Sequence, residues 1–338
     1  MRTLLLTLIT CLFVLPAQAK YSGGTGEPND PYQIATAEDL IALGETPEDY
    51  DKHFILTADI DLDPNLPGGR VFDRAVIAPG ADDLAGHFQG TQFTGVFDGN
   101  GHTISRLTIR GEQYVGLFGS ASAEISNLGL VDPHVTAEDG NNVGALVAEG
   151  GWHVFNCYVE GGRVTGKDGI GGLIGFVRNS LIANCCTRVS VSGHKWVGGL
   201  AGRAFDTYIT YSYVAGDVTG DEDVGGIVGR VPESGNSVET IEDSYSLATV
   251  SGNVKTGGFA GSNYGRVINC YSVGRVTGNE KIGGFIGYNE GKITACFWDV
   301  EASGCVTSAA GTSKTTAEMK PRQKNLWVVS GSGSAPRL

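Results

Sequence analysis

Four cysteines and two serines occupy one recurring position in this chain, in segments such as VFNCY (154–158) and IANCC (182–186). In chain order they are Cys157, Cys185, Ser212, Ser244, Cys270 and Cys296. Free cysteine packs in interiors as a small hydrophobe, so we expect an interior row of small, weakly polar side chains. Disulfides within the first pair and within the last pair of cysteines remain an alternative, because stacked strands bring Cα atoms within bridging range. No C-x-x-C pair or histidine accompanies the row, which disfavours a metal site.

The next position along each of these segments is mostly aromatic. Its occupants are Tyr158, Cys186, Tyr213, Tyr245, Tyr271 and Phe297. Aromatic side chains at equivalent positions of stacked strands stabilise the stack by contacting one another. If the row faces solvent, the same rings also offer a platform for sugars. We favour the structural role and keep the binding role open.

Carboxylates occur at alternate positions in Asp59, Asp61 and Asp63, which places all three on one face of a strand. Carboxylate oxygens are preferred Ca²⁺ ligands, so a calcium site is one interpretation. The segment does not match the EF-hand loop, because Pro64 and Leu66 break its pattern. A solvated acidic strand end is the favoured interpretation, and no cofactor is required.

The turns before the glycine-rich phrases described below differ from copy to copy, as expected of a solvated edge. Trp196 lies in one such turn, and the cluster Asp221-Glu222-Asp223 lies in the next. We take Trp196, Asp221 and Asp223 as candidate ligand contacts, and the acidic cluster as a second candidate for Ca²⁺.

Motifs for catalysis are missing from the sequence. The six histidines are scattered, and no H-E-x-x-H, nucleophile elbow or phosphate loop occurs. Glycoside hydrolysis needs a placed pair of carboxylates, and outside 221–223 no carboxylate recurs on neighbouring turns. We therefore assign no catalytic residue.

One glycine-rich phrase must position all of these residues, because it recurs along the chain. Its copies are VGLFG (115–119), VGALVA (143–148), IGGLIG (170–175), VGGLAG (197–202), VGGIVG (224–229), TGGFAG (256–261) and IGGFIG (282–287). The period is near 27 residues, and an insertion at 231–239 accounts for the one long step. Three β-prone segments per period, separated by glycine, asparagine and aspartate, predict three parallel sheets around a shared interior. Parallel crossovers are almost always right-handed, so we predict a right-handed parallel β-helix.

The phrase also resembles the GLUG motif, named for Gly-Leu-any-Gly, of bacterial secreted and surface proteins. GGLIG (171–175) and GGLAG (198–202) carry the resemblance, which covers residues 111–300 directly. Members occur in adhesins and in the N-terminal regions of some immunoglobulin A peptidases. The resemblance implies a β-helix and extracellular use, and it implies no catalytic activity of the repeats.

The two ends of the rod need covers, because a raw sheet edge invites aggregation. Thr36 and Asp39 form a helix-capping pattern, which predicts a short capping helix over 36–43 within an N-terminal region of first coils (20–110). The C-terminal tail, 301–338, has no repeat character, and we expect it to be partly disordered.

The first nineteen residues predict export. Arg2 precedes an apolar run that ends in Ala17-Gln18-Ala19, the pattern of a signal peptide cleaved near Ala19. An N-terminal membrane anchor is the alternative. Removing Arg2 with this segment takes the formal net charge from −13 to −14, which repels nucleic acid and anionic membranes. No later apolar run is long enough to span a membrane.

The combined prediction is a secreted or cell-surface repeat protein that acts as an adhesin-like or carbohydrate-binding module. Its partners would be an extracellular polysaccharide or a surface protein. The alternative is a polysaccharide lyase or glycoside hydrolase built on a parallel β-helix.

Overall fold

The repeats stack as coils of a parallel β-helix in the computed structural model, which describes residues 20–80, 88–233 and 239–323. The predicted signal peptide and the end of the predicted tail lie outside the described residues. Every pairing between the named strands is parallel, and each residue pairs with its equivalent one coil along. The predicted fold class is thereby confirmed.

The strands form three sheets. Sheet A contains Tyr32–Ile34, His53–Leu56, Val96–Asp98, Phe118–Ser126, Val147–Phe155, Ile174–Arg178, Ala201–Phe205, Val228–Val231, Ala260–Asn263 and Ile286–Asn289, and a branch of Leu181–Ala183, Tyr208–Thr210, Thr240–Glu242, Arg266–Ile268 and Lys292–Thr294. Sheet B contains Val143–Gly144, Asp168–Gly171, Lys195–Gly198, Glu222–Gly225, Val254–Gly257 and Glu280–Gly283. Sheet C contains Ile60–Asp61, Thr103–Ser105, Thr108–Arg110, Gly129–Val131, His134–Thr136, Tyr158–Thr165, Cys186–Ser192, Tyr213–Val214, Asp217–Thr219, Tyr245–Ser246, Thr249–Ser251, Tyr271–Ser272, Val276–Thr277, Phe297–Asp299 and Thr312–Lys314.

The coil at 143–165 has the three strands that the sequence predicted, whereas the coils from residue 168 onward carry four or five short strand segments, because sheet A, or both sheets A and C, are interrupted at corners. At one set of corners Asn127, Asn156 and Asn184 adopt left-handed φ values of 54° to 56°. Asparagine tolerates this conformation better than most residues. Asn184 Nδ2 donates to Asn156 Oδ1 (2.7 Å), and Asn156 Nδ2 donates to Asn127 Oδ1 (2.9 Å), so the corners are joined along the axis.

The interior is filled by in-register apolar rows. Val143, Ile170, Val197 and Val224 form one row on sheet B, and all four are fully buried. Six of the seven phrases close with glycine, which lets sheet A lie close to sheet B. A Cβ on Gly229 would stand 2.5 Å from the carbonyl carbon of Trp196, so the phrase needs glycine for a close backbone approach.

A helix covers the N-terminal end of the rod. It spans Ala37–Gly44, with Thr36 as the N-cap and the predicted capping box with Asp39 in place. Its residues Leu40 and Leu43 are fully buried in the core. A short 3-10 helix, Pro47–Asp49, follows.

The C-terminal end is covered by the segment after the last coil. It comprises a helix at Val300–Ser303, the strand Thr312–Lys314 and a helix at Thr316–Gln323. Trp298 packs over Gly284, where a Cβ would stand 2.1 Å from the indole, and its Nε1 donates to Cys305 O (3.1 Å). Residues 301–323 of the predicted tail are therefore part of the ordered rod end.

Candidate binding surface

Two rows of side chains meet where sheet B passes into sheet A. The corner row comprises Asn142, Gly169, Trp196, Asp223, Lys255 and Lys281, and the strand row comprises Glu149, Phe176, Arg203, Arg230, Ser262 and Tyr288. Each corner residue has a left-handed φ of 54° to 75° and stands seven positions before its strand-row partner. This conformation turns the corner side chain towards that partner: Asn142 Nδ2 donates to Glu149 (2.8 Å), and Lys281 Nζ lies 5.1 Å from the centre of the Tyr288 ring.

Arginines and aromatic rings cluster in the middle of these rows. The Arg203 guanidinium lies 4.4 Å from the Trp196 ring centre and 5.1 Å from that of Phe176. The Arg178 guanidinium also lies over the Phe176 ring, 5.1 Å from its centre, and it lies 5.8 Å from the centre of the Phe205 ring. We call these five residues the arginine–aromatic cluster.

The positive charge of the cluster is only partly balanced. Arg230, the next strand-row residue after Arg203, lies 3.5 Å from the Asp223 carboxylate. Within the described part of the chain, Arg178 and Arg203 have no carboxylate within ion-pair distance. Burial, followed by the charges of Arg230 and Arg178, lowers the pKa of the Arg203 guanidinium, and the charges of Asp223 and Glu149 offset part of this effect. The cluster therefore holds repelling cations that an anion would stabilise.

Two buried donors of the cluster lack hydrogen-bond partners. They are Nε of Arg203 and Nε1 of Trp196, and neither reaches an acceptor within the described residues. Buried polar atoms normally have partners, and an unpaired one costs about 1–3 kcal/mol. Such atoms beside unbalanced charge mark a place where a ligand would supply acceptors.

A groove of about 220 Å³ adjoins the cluster on sheet A. Its lining includes Phe176 and Arg178 from the cluster, together with Glu149, Gln92 and Trp152. Trp152 is 56% exposed and has a φ of 126°, a conformation that a large side chain rarely adopts. Strained, exposed residues of this kind occur at ligand-binding sites more than elsewhere.

The predicted contact residues differ in how accessible they are on this surface. Trp196 belongs to the cluster, as described above, and Asp221 is exposed on the neighbouring turn. Asp223 is fully buried, where it bonds Ser262 and lies 3.8 Å from Lys255. Its carboxylate therefore balances lysine and arginine charge and is turned away from solvent.

The rest of the acidic cluster is also engaged in ion pairs. Glu222 lies 2.9 Å from Lys195 and 3.1 Å from Lys255, one coil to either side. The hydrogen bond from Lys195, with a further contribution from Lys255, lowers the pKa of Glu222.

The three alternating aspartates are held by cations and backbone donors. Arg106 forms an ion pair with Asp61 and lies 3.3 Å from Asp63, whereas Asp59 accepts from Thr103 N (2.8 Å) and lies 3.2 Å from His102 Nδ1. Within the described ranges no group of three or more His, Cys, Asp or Glu side chains is arranged to hold a metal ion. A calcium site here stays a prediction.

The cysteine–serine row lies inside the rod, where each of its six side chains is at most 2% exposed and its four cysteines are free of disulfides. Each member donates to the carbonyl two residues earlier, for example Cys185 Sγ to Ala183 O (3.3 Å) and Ser212 Oγ to Thr210 O (2.9 Å). Ser212 Oγ also accepts from Cys185 N (3.2 Å). Burial raises the pKa of the Cys185 thiol, which keeps it protonated and unreactive.

The aromatic row runs along the outside of sheet C. Tyr213, Tyr245 and Tyr271 stack with ring centres 5.1 Å and 5.0 Å apart and planes within 5° of parallel. Their faces are covered by one another, so little ring face is left for a sugar. The row lies on a different sheet from the arginine–aromatic cluster.

Sequence reasoning named Trp196 and missed Trp152, Arg178 and Arg203. The signal for Trp152 was present, since Gly150-Gly151-Trp152 interrupts the alternation of its segment. The signal for Arg203 was its seven-residue spacing from Trp196, which gains meaning only once the corner conformation is known, and no such spacing marks Arg178.

No family model matches the chain. It is 33% identical over 178 residues to a halomucin of Haloquadratum walsbyi, covering 50% of this chain and 2% of the halomucin. It is 33% identical over 147 residues to a "Putative Gly-rich membrane protein" of Evansella cellulosilytica, covering 41% of this chain and 16% of that protein. The chain thus matches only a small part of the length of either relative.

A solved structure shares the fold. The crystal structure of "a putative immunoglobulin A1 protease from Bacteroides ovatus" superposes with a TM-score of 0.58 and 20% identity, over 89% of this chain and 88% of that one. In the described part of the chain, none of the helices has the length and apolar character that crossing a membrane requires. The chain is a parallel β-helix repeat protein whose repeats resemble segments of much longer proteins.

Proposed function

We propose that this chain is a secreted or cell-surface repeat protein whose β-helix binds an extended carbohydrate and has no catalytic activity of its own. The groove beside Trp152 is the observation that carries the proposal. An exposed tryptophan beside an open groove is the arrangement with which proteins stack sugar rings, because the indole face is large and apolar.

The scaffold supports this role. A stack of in-register coils presents its outer side chains at the spacing of adjacent strands, about 4.8 Å, along a straight axis. An extended polymer can contact several coils at once, which adds binding energy without folding of the protein. The similarity to a halomucin and to a Gly-rich membrane protein supports a place outside the cell or in its envelope.

The test is a polysaccharide panel screened for binding with the mature chain and with Trp152→Ala. We expect at least one polysaccharide to bind, and the variant to bind it roughly tenfold more weakly, the effect of losing one aromatic contact. Tyr211→Ala is the matched control, since Tyr211 is 61% exposed with a φ of 49° and does not line the groove. Binding that is equally strong in the Trp152 variant, or absent from the whole panel, would overturn the proposal.

The same panel decides the enzymatic alternative. Glu149 is the one carboxylate among the described residues that line the groove, and glycoside hydrolysis uses two. New reducing ends or unsaturated products that disappear in Glu149→Gln would replace the binding role with catalysis.

A further inference from the structure

We propose that the arginine–aromatic cluster binds the anionic groups of an acidic polysaccharide, with Arg178 and Arg203 as the donors. This inference rests on the proposed function and names its substrate class. The anionic groups are the carboxylates of uronic acids or the sulfates of sulfated sugars, each of which presents two or more oxygens that can accept bidentate hydrogen bonds from a guanidinium.

The first argument is charge. The chain carries a formal net charge of −13, so carboxylates are plentiful, yet none lies within ion-pair distance of Arg178 or Arg203 among the described residues. The nearest described ion pair in the strand row belongs to Arg230 and Asp223. Two arginines that go unpaired on so acidic a protein point to an anion from outside the chain.

The second argument is orientation. Arg203 lies between the Trp196 and Phe176 rings, and Arg178 lies over the same phenylalanine. Stacking on ring faces fixes the plane of a guanidinium and leaves its edge N–H groups free to donate. A stacked arginine loses less side-chain freedom when it binds a carboxylate or sulfate in a bidentate manner.

The third argument concerns the unsatisfied donors. Arg203 Nε and Trp196 Nε1 are buried without acceptors in the described structure, and both belong to the cluster. An oxygen-rich ligand that reaches these atoms removes the cost of leaving them unpaired. A neutral hydrocarbon ligand would not.

A polysaccharide fits better than an acidic peptide because the groove continues from the cluster. Arg178 and Phe176 of the cluster line it together with Trp152. A single polysaccharide can stack one sugar ring on Trp152 and place the acidic group of a neighbouring sugar at Arg178. Acidic peptides offer carboxylates without rings whose faces would stack on the indole.

The test measures dissociation constants with four probes: polygalacturonate, dextran sulfate, neutral dextran and poly-L-glutamate. The proteins are the mature chain, Arg178→Gln, the double variant Arg178→Gln/Arg203→Gln, and the control Arg188→Gln. Arg188 is paired with Glu160 (3.1 Å) on sheet C, so its loss removes the same charge elsewhere. Thermal unfolding of each variant checks its fold. Because Arg178 is exposed, Arg178→Gln keeps the packing of Arg203 against Trp196 and Phe176.

We expect one or both acidic polysaccharides to bind more tightly than the other two probes. Arg178→Gln should weaken that binding about tenfold and the double variant about a hundredfold, as for the loss of one and two charge-assisted contacts. Arg188→Gln should change it less than twofold. The ratio of the dissociation constants for polygalacturonate and dextran sulfate then shows whether carboxylate or sulfate is the preferred anionic group.

Four outcomes would overturn the inference. If neutral dextran bound as tightly as the acidic polysaccharides, the ligand would not need to be anionic, and the proposed carbohydrate binding would still hold. Tight binding of poly-L-glutamate at the level of the polysaccharides would make the cluster a site for acidic proteins. If Arg188→Gln and Arg178→Gln lost the same binding affinity, the effect would be one of net charge and not of the cluster. If no probe bound at all, the result would count against the proposed function as well.

Discussion

The Arg203 guanidinium is stacked against the indole of Trp196, 4.4 Å from the ring centre, although the two residues belong to different sheets. The contact exists because Trp196 has a φ of 56°, which turns its side chain from sheet B towards sheet A. The same seven-residue relationship joins corner and strand rows in coil after coil, with different chemistry each time. A uniform backbone thus carries a variable surface.

The first prediction concerns that stack. We expect Trp196→Ala and Arg203→Gln to be coupled by about 1 kcal/mol in a double-mutant cycle of unfolding free energies, as for a partly desolvated cation–π contact. Chemical denaturation of the four proteins measures the coupling. A parallel cycle of Trp196→Ala with Arg188→Gln should be additive, and additivity in both cycles would show that the stack does not form in solution.

The interior row makes a prediction about serine and cysteine. Ser212→Cys should cost less than about 1 kcal/mol, because the thiol of Cys185 already fills the equivalent position in the preceding coil. Ser212→Ala should cost about 1–3 kcal/mol, since it leaves the N–H of Cys185 without its acceptor at 3.2 Å. Denaturant unfolding of both variants checks this, and equal costs would mean that the hydroxyl fills space and nothing more.

Thiol counting tests the same row independently. The mature chain should release six titratable thiols on unfolding without reductant, because the cysteines in this structure are free. A count of four or two would instead establish the disulfide alternative between neighbouring coils.

The asparagine corners predict a pair of opposite effects. Asn184→Ala should destabilise by about 1–2 kcal/mol, because it removes the 2.7 Å bond to Asn156 and places alanine at a left-handed φ. Ala295 already stands at an equivalent corner with a φ of 53°, and Ala295→Gly should stabilise by roughly 1 kcal/mol. Denaturant unfolding measures both changes, and changes in unfolding free energy of the same sign would contradict the left-handed conformation of the corners.

The aspartates near the N-terminal end predict how the protein responds to calcium. Millimolar Ca²⁺ should leave the Tm of the mature chain unchanged, because Arg106 already pairs with Asp61 and Asp63. In Arg106→Gln the freed carboxylates should make the Tm rise with Ca²⁺. A calcium-dependent rise in the unaltered chain that is lost in Asp61→Asn would establish the metal site.

The sequence was enough to predict the coils, their register and the end helix, because those follow from repetition and local propensity. The phrase VGGLAG and its copies define a period, and Thr36 with Asp39 defines a capping box. The binding surface was harder to predict because it depends on residues such as Trp196 and Lys281 adopting a left-handed backbone that side chains of their kind rarely take. Asp223 shows the same difficulty, since its pattern suggested a solvated turn, whereas its carboxylate is buried against Arg230, Ser262 and Lys255.

Binding of an acidic carbohydrate between Trp152 and Arg203 is the central proposal. A crystal structure of the mature chain with a short oligogalacturonate tests it most directly. We predict a sugar ring over the Trp152 indole and a carboxylate within hydrogen-bond distance of the Arg178 or Arg203 guanidinium. An oligosaccharide ordered on the tyrosine stack of sheet C, with the groove empty, would contradict the account.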